Sequence, residues 1–331
     1  MLMAAGLGTR LKPFTDMIPK ALLPVMGVPV AQFAIDALVE AGVKRIVANV
    51  HHQADQARSG LMALDRGASE MILSDESGLL LGSAGGIAKA AEHFEGAPFF
   101  LVNADVLSDV SLSRLAQRHL QLRAQCGVKL TLTVFPRPRQ TAEAPVKYRE
   151  IFLGPSGSED SGLIQGLGDL QSDKPYFVGA AILEPELFKD IATDQPSDFV
   201  EKILRPAISE KKAGYYLTEG KWFDIGSAPV WLETHLQLIR DLETGELSRN
   251  WRLRLEENNL RIAQQVWISR GARRDFKIAG IAAPAYFNHL GDSTAQPPAL
   301  LGPDAVLYGD AHSFKGDFSR RIGFRGLIEK V

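Results

Sequence analysis

The chain has 331 residues, 45% of them hydrophobic and 23% charged, with a formal net charge of −2. This length predicts one large domain with a small one, or two of medium size, and the near-neutral charge excludes a general electrostatic pull toward nucleic acid or a membrane surface. Cys126 is the only cysteine, which excludes an intrachain disulfide and fits a reducing cytoplasm. No apolar run approaches the ~20 residues of a membrane span. Met1-Leu2-Met3-Ala4-Ala5 lacks the basic region of a signal peptide, and residues 6–12 interrupt it at once.

The first predicted element is a loop. Ala4-Ala5-Gly6-Leu7-Gly8-Thr9-Arg10-Leu11-Lys12-Pro13, followed by Thr15, Pro19-Lys20 and Leu23-Pro24, gathers two glycines, an arginine and a lysine. Glycine lets a backbone approach a ligand closely, and successive free N–H groups make a concave anion site. Arg10 adds a planar cationic fork and Lys20 a compact point charge, so the segment is a candidate polyphosphate cradle. Leu11 stands where a dinucleotide fingerprint needs its third glycine, and no Gly-Lys-Ser/Thr follows as a P-loop requires. Only about four residues precede the loop, so either the buried strand expected before it is very short or the chain starts late.

Helix and strand patterns then alternate. Residues 31–41 place Ile35, Leu38 and Val39 on one helical face, and Gly42 supplies a stop. Residues 45–50 predict a buried strand, 53–64 a helix, 70–73 a strand and 84–94 a helix. The apolar run 99–103 has the pattern of a strand covered on both faces; 111–124 is helical by period and 129–134 strand-like. From 136 to 174, prolines, glycines and serines predict a loop or ribbon insertion. Residues 176–183 return to a strand, 198–211 predict a helix, 222–224 a short strand, and 228–242 a long amphipathic helix ended by Thr244-Gly245-Glu246. The β-α-β-α order predicts an α/β fold: a Rossmann-like, mostly parallel sheet with helices on both faces and ligands beyond the carboxyl ends of its strands. Beyond about 250 the composition changes. Residues 266–272 and 303–311 have the pattern of imperfect hexapeptide turns, which predicts a small β-rich region, either a left-handed β-helix or a β extension packed on the first domain or on another subunit. The expected division is 1–245 and 250–331.

Asp105, in Asn103-Ala104-Asp105-Val106, follows the apolar run and falls where ligands of such a sheet gather. A carboxylate there is costly unless paired. A divalent cation would pair it; the alternative is a loop or helix-capping aspartate, although Asp109 and Ser111 are better placed to cap. Asp224, in Trp222-Phe223-Asp224-Ile225-Gly226-Ser227, is either a second metal ligand or part of a helix start. In Leu81-Gly82-Ser83-Ala84-Gly85-Gly86-Ile87 the glycines either admit a flat ligand to the backbone or allow close packing. His51 and His52 would point to opposite faces of a strand and cannot chelate one metal.

Together the loop positions resemble the G-x-G-T-R-L-x-P…P-K…L-P signature of the sugar-1-phosphate nucleotidyltransferases, over about residues 1–240. The 103–106 segment resembles that family's N-G/A-D-V motif, with Ala104 for the commoner glycine. The 222–227 segment resembles W-x-D-I-G-T, with Ser227 for threonine, and 81–87 resembles L-G-T-A/G-G-G-I/L. The resemblance implies transfer of a nucleotidyl group from a nucleoside triphosphate to a sugar-1-phosphate, with Mg2+ as cofactor. It implies Arg10 and Lys20 as catalytic residues and Asp105 and Asp224 as metal ligands. Nucleotide contacts would come from Ala5, Gly6, Gly8, Thr9, Gly82, Gly85 and Asn103, and sugar contacts from Gly179 and Glu201. The E-K-P segment of many members is absent, as in the shorter uridylyl- and guanylyltransferase-like branches. The resemblance leans toward the N-acetylmuramate-1-phosphate uridylyltransferase and mannose-1-phosphate guanylyltransferase branches, and so toward NDP-sugar supply for the cell envelope from the cytoplasm. No nucleic-acid or membrane partner is expected, and the C-terminal region is a candidate surface for homo-oligomer formation. A non-catalytic nucleotide-binding homologue and a cytidylyltransferase for a non-sugar phosphate such as phosphocholine are the alternatives.

Overall fold

The structure, a computed structural model, describes residues 1–136, 148–158, 160–171, 174–263, 266–269, 285–288, 305–308, 321–324 and 327–330. The chain divides into two compact units: residues 1–7 with 31–222, and residues 8–30 with 223–331. These units follow contact in space and divide the glycine loop after Leu7.

The first unit is built on β1 (Leu2–Met3), α1 (Val30–Glu40), β2 (Arg45–Val50), α2 (Ala54–Met62), β3 (Glu70–Asp75), α3 (Gly82–Ala90), β4 (Phe99–Asn103), β5 (Val106–Ser108), α4 (Leu112–Cys126) and β6 (Leu130–Phe135). It continues through β7 (Tyr148–Ser158), β8 (Ser161–Gln171), β9 (Tyr176–Leu183), α5 (Arg205–Ser209) and β10 (Ala213–Leu217). Nine of these strands form one sheet in the order β3-β2-β1-β4-β9-β6-β10-β8-β7. The β3-β2-β1-β4 half is parallel, as the alternation predicts. The expectation of a mostly parallel sheet is corrected for the other half, where β9 runs antiparallel to both β4 and β6, and β8 runs antiparallel to β10 and β7. Parallel neighbours need a long crossover, usually a helix. None occurs among the described residues between β6 and β9, where the chain instead makes the β7–β8 ribbon. That ribbon falls within the 136–174 insertion; residues 137–147 lie outside the described residues.

Local chemistry sets the element ends. In α4 the Ser111 hydroxyl accepts a hydrogen bond from Arg114 N at 3.3 Å, and Gly127, at φ 66°, donates its N–H to Arg123 O at 2.9 Å. Such an N-cap contributes about 1 kcal/mol, so Ser111 caps this helix and Asp105 does not. Leu112, Leu115, His119 and Leu122 fall on its buried face, and each buried leucine stabilises the fold by roughly 1.5–3 kcal/mol. β1 is only two residues long, yet it lies between β2 and β4, with Leu2 opposite both Ala48 and Val102.

The second unit contains the glycine loop from Gly8 onward, a two-stranded hairpin (Pro24–Val25 with Val28–Pro29), α6 (Ala228–Thr244) and α7 (Arg249–Asn258). α6 carries proline in its first turn and ends at Gly245, at φ 77°. The C-terminal part is a six-stranded sheet of β11 (Asn259–Ala263), β12 (Val266–Ser269), β13 (Ala285–Asn288), β14 (Ala305–Tyr308), β15 (Arg321–Phe324) and β16 (Leu327–Lys330). Its four inner strands are parallel and in register, and the two outer ones are antiparallel. Short parallel strands accord with the β-rich expectation; residues 270–272, 303–304 and 309–311, where turns are expected, lie outside the described residues.

His235, on α6, is wholly buried; its Nδ1 donates to Trp231 O at 2.8 Å, and its ring centroid lies 5.9 Å from that of Tyr286. Burial lowers its pKa to about 4 from 6.5, against the raising effect of the Trp231 hydrogen bond. Between those two values the unfolded chain binds a proton that the folded chain does not, so stability falls as the pH falls through that window. Urea titrations from pH 7 down to 4 should show a loss of up to roughly 3 kcal/mol from this group, and His235→Gln should flatten that slope.

Candidate active site

The predicted site residues fall on both units. On the second, Gly8 takes φ +64° and opens a one-turn helix over Thr9–Leu11, with Leu11 N donating to Gly8 O at 2.9 Å. Thr15 Oγ1 donates to the same carbonyl at 2.9 Å. A side chain at Gly8 would put Cβ 2.7 Å from Thr15 Cγ2 and 3.3 Å from Lys20 Cβ. Glycine is therefore demanded here twice, by the positive φ and by the approach of Thr15 and Lys20. Thr9 and Arg10 are exposed and Lys20 is half-buried.

The loop rests on apolar side chains beneath it. Leu11, Phe14 and Leu23 are buried, Phe14 meets Trp231 edge-on with ring centroids 5.3 Å apart, and Trp231 Nε1 donates to Pro24 O at 2.8 Å. The same unit carries Asp224. Gly226 N donates to Asp224 O at 2.7 Å, closing a tight turn, and a Cβ on Gly226 would fall 2.9 Å from Arg10 Nη2. The Arg10 guanidinium thus lies against the backbone of the Asp224-Ile225-Gly226 turn. Ser227 precedes α6 without a side-chain capping bond.

On the first unit, Asn103 ends β4 and Asp105 stands half-buried in the turn between β4 and β5. This is the carboxyl end of a strand inside the sheet, as expected. Gly179, at φ +88°, faces Asn103: a Cβ there would lie 3.1 Å from Asn103 Nδ2. Glu201 is exposed on a single turn (Val200–Leu204) and accepts a hydrogen bond from Arg205 Nε at 3.0 Å. His51 Nδ1 donates to Glu76 O at 2.7 Å, a packing role for that ring.

The glycines at 82 and 85 meet protein. A Cβ at Gly82 would lie 2.7 Å from Ser197 O, and one at Gly85 would lie 2.8 Å from Gln195 O. Ala84 N donates to Ser197 O, Ser197 N to Leu81 O, and Phe199 N to Ser83 Oγ, at 2.8–2.9 Å. Close packing of the 195–199 segment onto α3 thus occupies the side of each glycine on which a Cβ would stand. At Gly6 an added Cβ would meet open space. Sequence reasoning missed two buried groups next to these segments, Asn49 and Glu76. Asn49 ends the 45–50 strand pattern beside Val50, and an amide in an otherwise apolar strand is the signal that could have found it.

Mg2+ takes hard oxygen ligands and keeps several waters, so one or two protein carboxylates suffice. Asp105 lies on the first unit and Asp224 on the second, and no group of three or more potential metal ligands occurs among the described residues. The contrast between the two loop glycines is testable in the folded protein. Gly8→Ala should lower stability in denaturant titrations by at least ~1–2 kcal/mol, whereas Gly6→Ala should stay within about 0.5 kcal/mol of the unsubstituted chain.

Residues 1–150 match the nucleotidyl transferase family model. The chain is 29% identical over 230 residues to the mannose-1-phosphate guanylyltransferase catalytic subunit beta of Drosophila pseudoobscura pseudoobscura, covering 68% of this chain and 58% of the relative. It is 26% identical over 265 residues to the UTP–glucose-1-phosphate uridylyltransferase of Synechocystis, covering 75% and 65%. It is 28% identical over 227 residues to the N-acetylmuramate alpha-1-phosphate uridylyltransferase of Neisseria meningitidis serogroup B, covering 69% and 92%. The chain therefore spans less than two thirds of the first two relatives. Among solved structures, a UDP-glucose pyrophosphorylase from Acinetobacter baumannii shares the fold at 19% identity and a TM-score of 0.58, over 77% of this chain and 97% of that one. The match over residues 1–150 and the names of these relatives make the chain similar to sugar-1-phosphate nucleotidyltransferases.

Proposed function

We propose that the chain transfers a nucleotidyl group from a nucleoside triphosphate to a sugar-1-phosphate, giving an NDP-sugar and pyrophosphate. The observation that carries this reading is the meeting, within one compact unit, of the Arg10 guanidinium and the turn that follows Asp224. A cation for phosphate oxygens and a carboxylate for a metal then belong to one surface. The names of the relatives support the reaction class.

An oxygen of the sugar phosphate attacks the α-phosphorus, and the bond to the β-phosphate bridge breaks, leaving pyrophosphate with the bridging electron pair. The nucleophile needs no strong base, because a phosphate monoester with a second pKa of about 6 is already largely dianionic at pH 7. The task left to the protein is alignment and neutralisation of growing charge. Arg10 and the N–H groups of Gly8 and Thr9 hold the β- and γ-phosphates. Lys20 spans the α-phosphate and the incoming sugar phosphate. The Ala5–Gly6 and Gly82–Gly85 backbones and Asn103 receive the nucleoside, while Gly179 and Glu201 face the sugar. Asp105 and Asp224 would hold Mg2+, which would supply neutralisation of phosphate charge. Residues 1–245 carry catalysis, and 250–331 serve assembly, as a homo-oligomer contact, or regulation. The reaction belongs to the cytoplasm.

Lys20→Ala should lower kcat by ~10²–10³-fold with a smaller change in triphosphate affinity, read from steady-state rates and calorimetric titration; an unchanged kcat removes Lys20 from this role. Asp105→Asn should abolish Mg2+-dependent turnover, and unchanged metal dependence would point to another ligand. Substrate choice is read by a matrix of ATP, CTP, GTP and UTP against mannose-, glucose- and N-acetylmuramate-1-phosphate, with phosphocholine as a further acceptor, scored by pyrophosphate. One base with one or two sugar phosphates should respond. Turnover of CTP with phosphocholine alone would favour the non-sugar alternative, and triphosphate binding without pyrophosphate release would favour a regulatory homologue.

A further inference from the structure

Glu76 is 2% and Asn49 1% exposed, and the two form a buried polar chain inside the first unit. Ala4 N donates to Asn49 Oδ1 at 2.7 Å, Asn49 Nδ2 donates to Glu76 Oε1 at 2.8 Å, and Leu81 N donates to Glu76 Oε2 at 3.0 Å. Gly86 leaves the room this carboxylate fills, since a Cβ there would lie 2.5 Å from Oε1. Glu76 is itself held by Glu76 N to Val50 O at 2.8 Å and by the His51 ring on its carbonyl.

The ends of this chain are the informative part. Ala4 is the first residue past β1, where the ladder to β2 and β4 has run out, and it leads into Ala5 and Gly6. Leu81 immediately precedes Gly82 at the start of α3. A carboxylate and an amide are costly to bury, and an apolar pair could hold β2 and β3 together without them. What an apolar pair could not do is fix two backbone N–H groups on separate segments at a set spacing. We propose that Glu76, acting through Asn49, is a positioning residue that sets the spacing of the two backbone segments between which the nucleoside binds. This rests on the nucleotidyl-transfer reading above and adds a specific determinant of nucleoside affinity to it.

The direction of the hydrogen bonds makes the proposal testable. The donors converge on the Glu76 carboxylate from both ends of the chain, so Glu76→Gln must leave a donor facing a donor, whichever way the two amides turn. Adding Asn49→Asp reverses only the central bond: the new amide at position 76 would then donate to the new carboxylate at position 49, while Ala4 N and Leu81 N keep their acceptors. Binding of UTP, GTP and inorganic pyrophosphate to the full-length chain is measured by calorimetry, with Tm recorded for each variant. For the triphosphate that the unsubstituted chain binds, Glu76→Gln should raise Kd about tenfold, leave pyrophosphate affinity unchanged, and be rescued by the Asn49→Asp/Glu76→Gln pair. Gly86→Ala, which displaces the carboxylate by another route, should repeat the first result. Triphosphate affinity unaltered in Glu76→Gln, or lost in step with pyrophosphate affinity, overturns the proposal, as does failure of the pair to restore affinity while it restores Tm. If the unsubstituted chain binds pyrophosphate but neither triphosphate, the positioning role falls while the phosphate loop stands. If it binds none of the three, the nucleotidyl-transfer reading falls as well.

Discussion

An exposed guanidinium can meet a polyphosphate in a defined geometry only if the backbone carrying it is held from below. Long cationic side chains lose rotamer freedom when they engage a ligand, and a loose loop would add its own ordering cost. Here the 8–24 segment is floored by Leu11, Phe14 and Leu23, with Phe14 against Trp231 and the indole N–H on Pro24 O. Thr15 closes the loop on itself through Gly8 O. Thr9 and Arg10 face out while Leu11, Phe14 and Leu23 beneath them are buried. The rest of the proposed chemistry depends on that division.

The support extends into the C-terminal half. Asn259, at the junction of α7 and the C-terminal sheet, donates to Met26 O at 2.9 Å and to Leu255 O at 2.8 Å, and accepts from Tyr286 Oη at 3.0 Å. The tip of the hairpin after the glycine loop is thus tied to the sheet of residues 259–330 within one compact unit. A region whose sequence dictates no reaction contributes to the frame on which the loop rests. A buried asparagine with its donors and acceptors satisfied rigidifies such a junction more than an apolar contact does.

Much of this was legible in the sequence where the cause is local. The Gly8 turn, the Ser111 cap, the α6 stop at Gly245 and the parallel half of the sheet follow from residue type and period. What was not legible depends on residues far apart. The buried Glu76 is separated from Asn49 by 27 positions, and Asn49 from Ala4 by 45. Gly82 and Gly85 have a packing reason, the Gln195 and Ser197 carbonyls, that lies over a hundred residues away. α7 was missed because Arg249, Arg252, Arg254, Glu256 and Glu257 crowd its ten residues and leave little apolar stripe beyond Trp251 and Leu255. The antiparallel pairings escaped because period 2 marks a strand but not its direction.

The central claim, attack of a sugar phosphate oxygen on the α-phosphorus, is tested most directly by oxygen isotope. A sugar-1-phosphate labelled with 18O on its phosphate is incubated with triphosphate and Mg2+, and both products are read by 31P NMR. The account predicts that all label stays in the nucleotide-sugar, with isotope shifts on both its phosphorus atoms, and that the pyrophosphate is unlabelled. Label in the pyrophosphate, or triphosphate binding with no product at all, would contradict it.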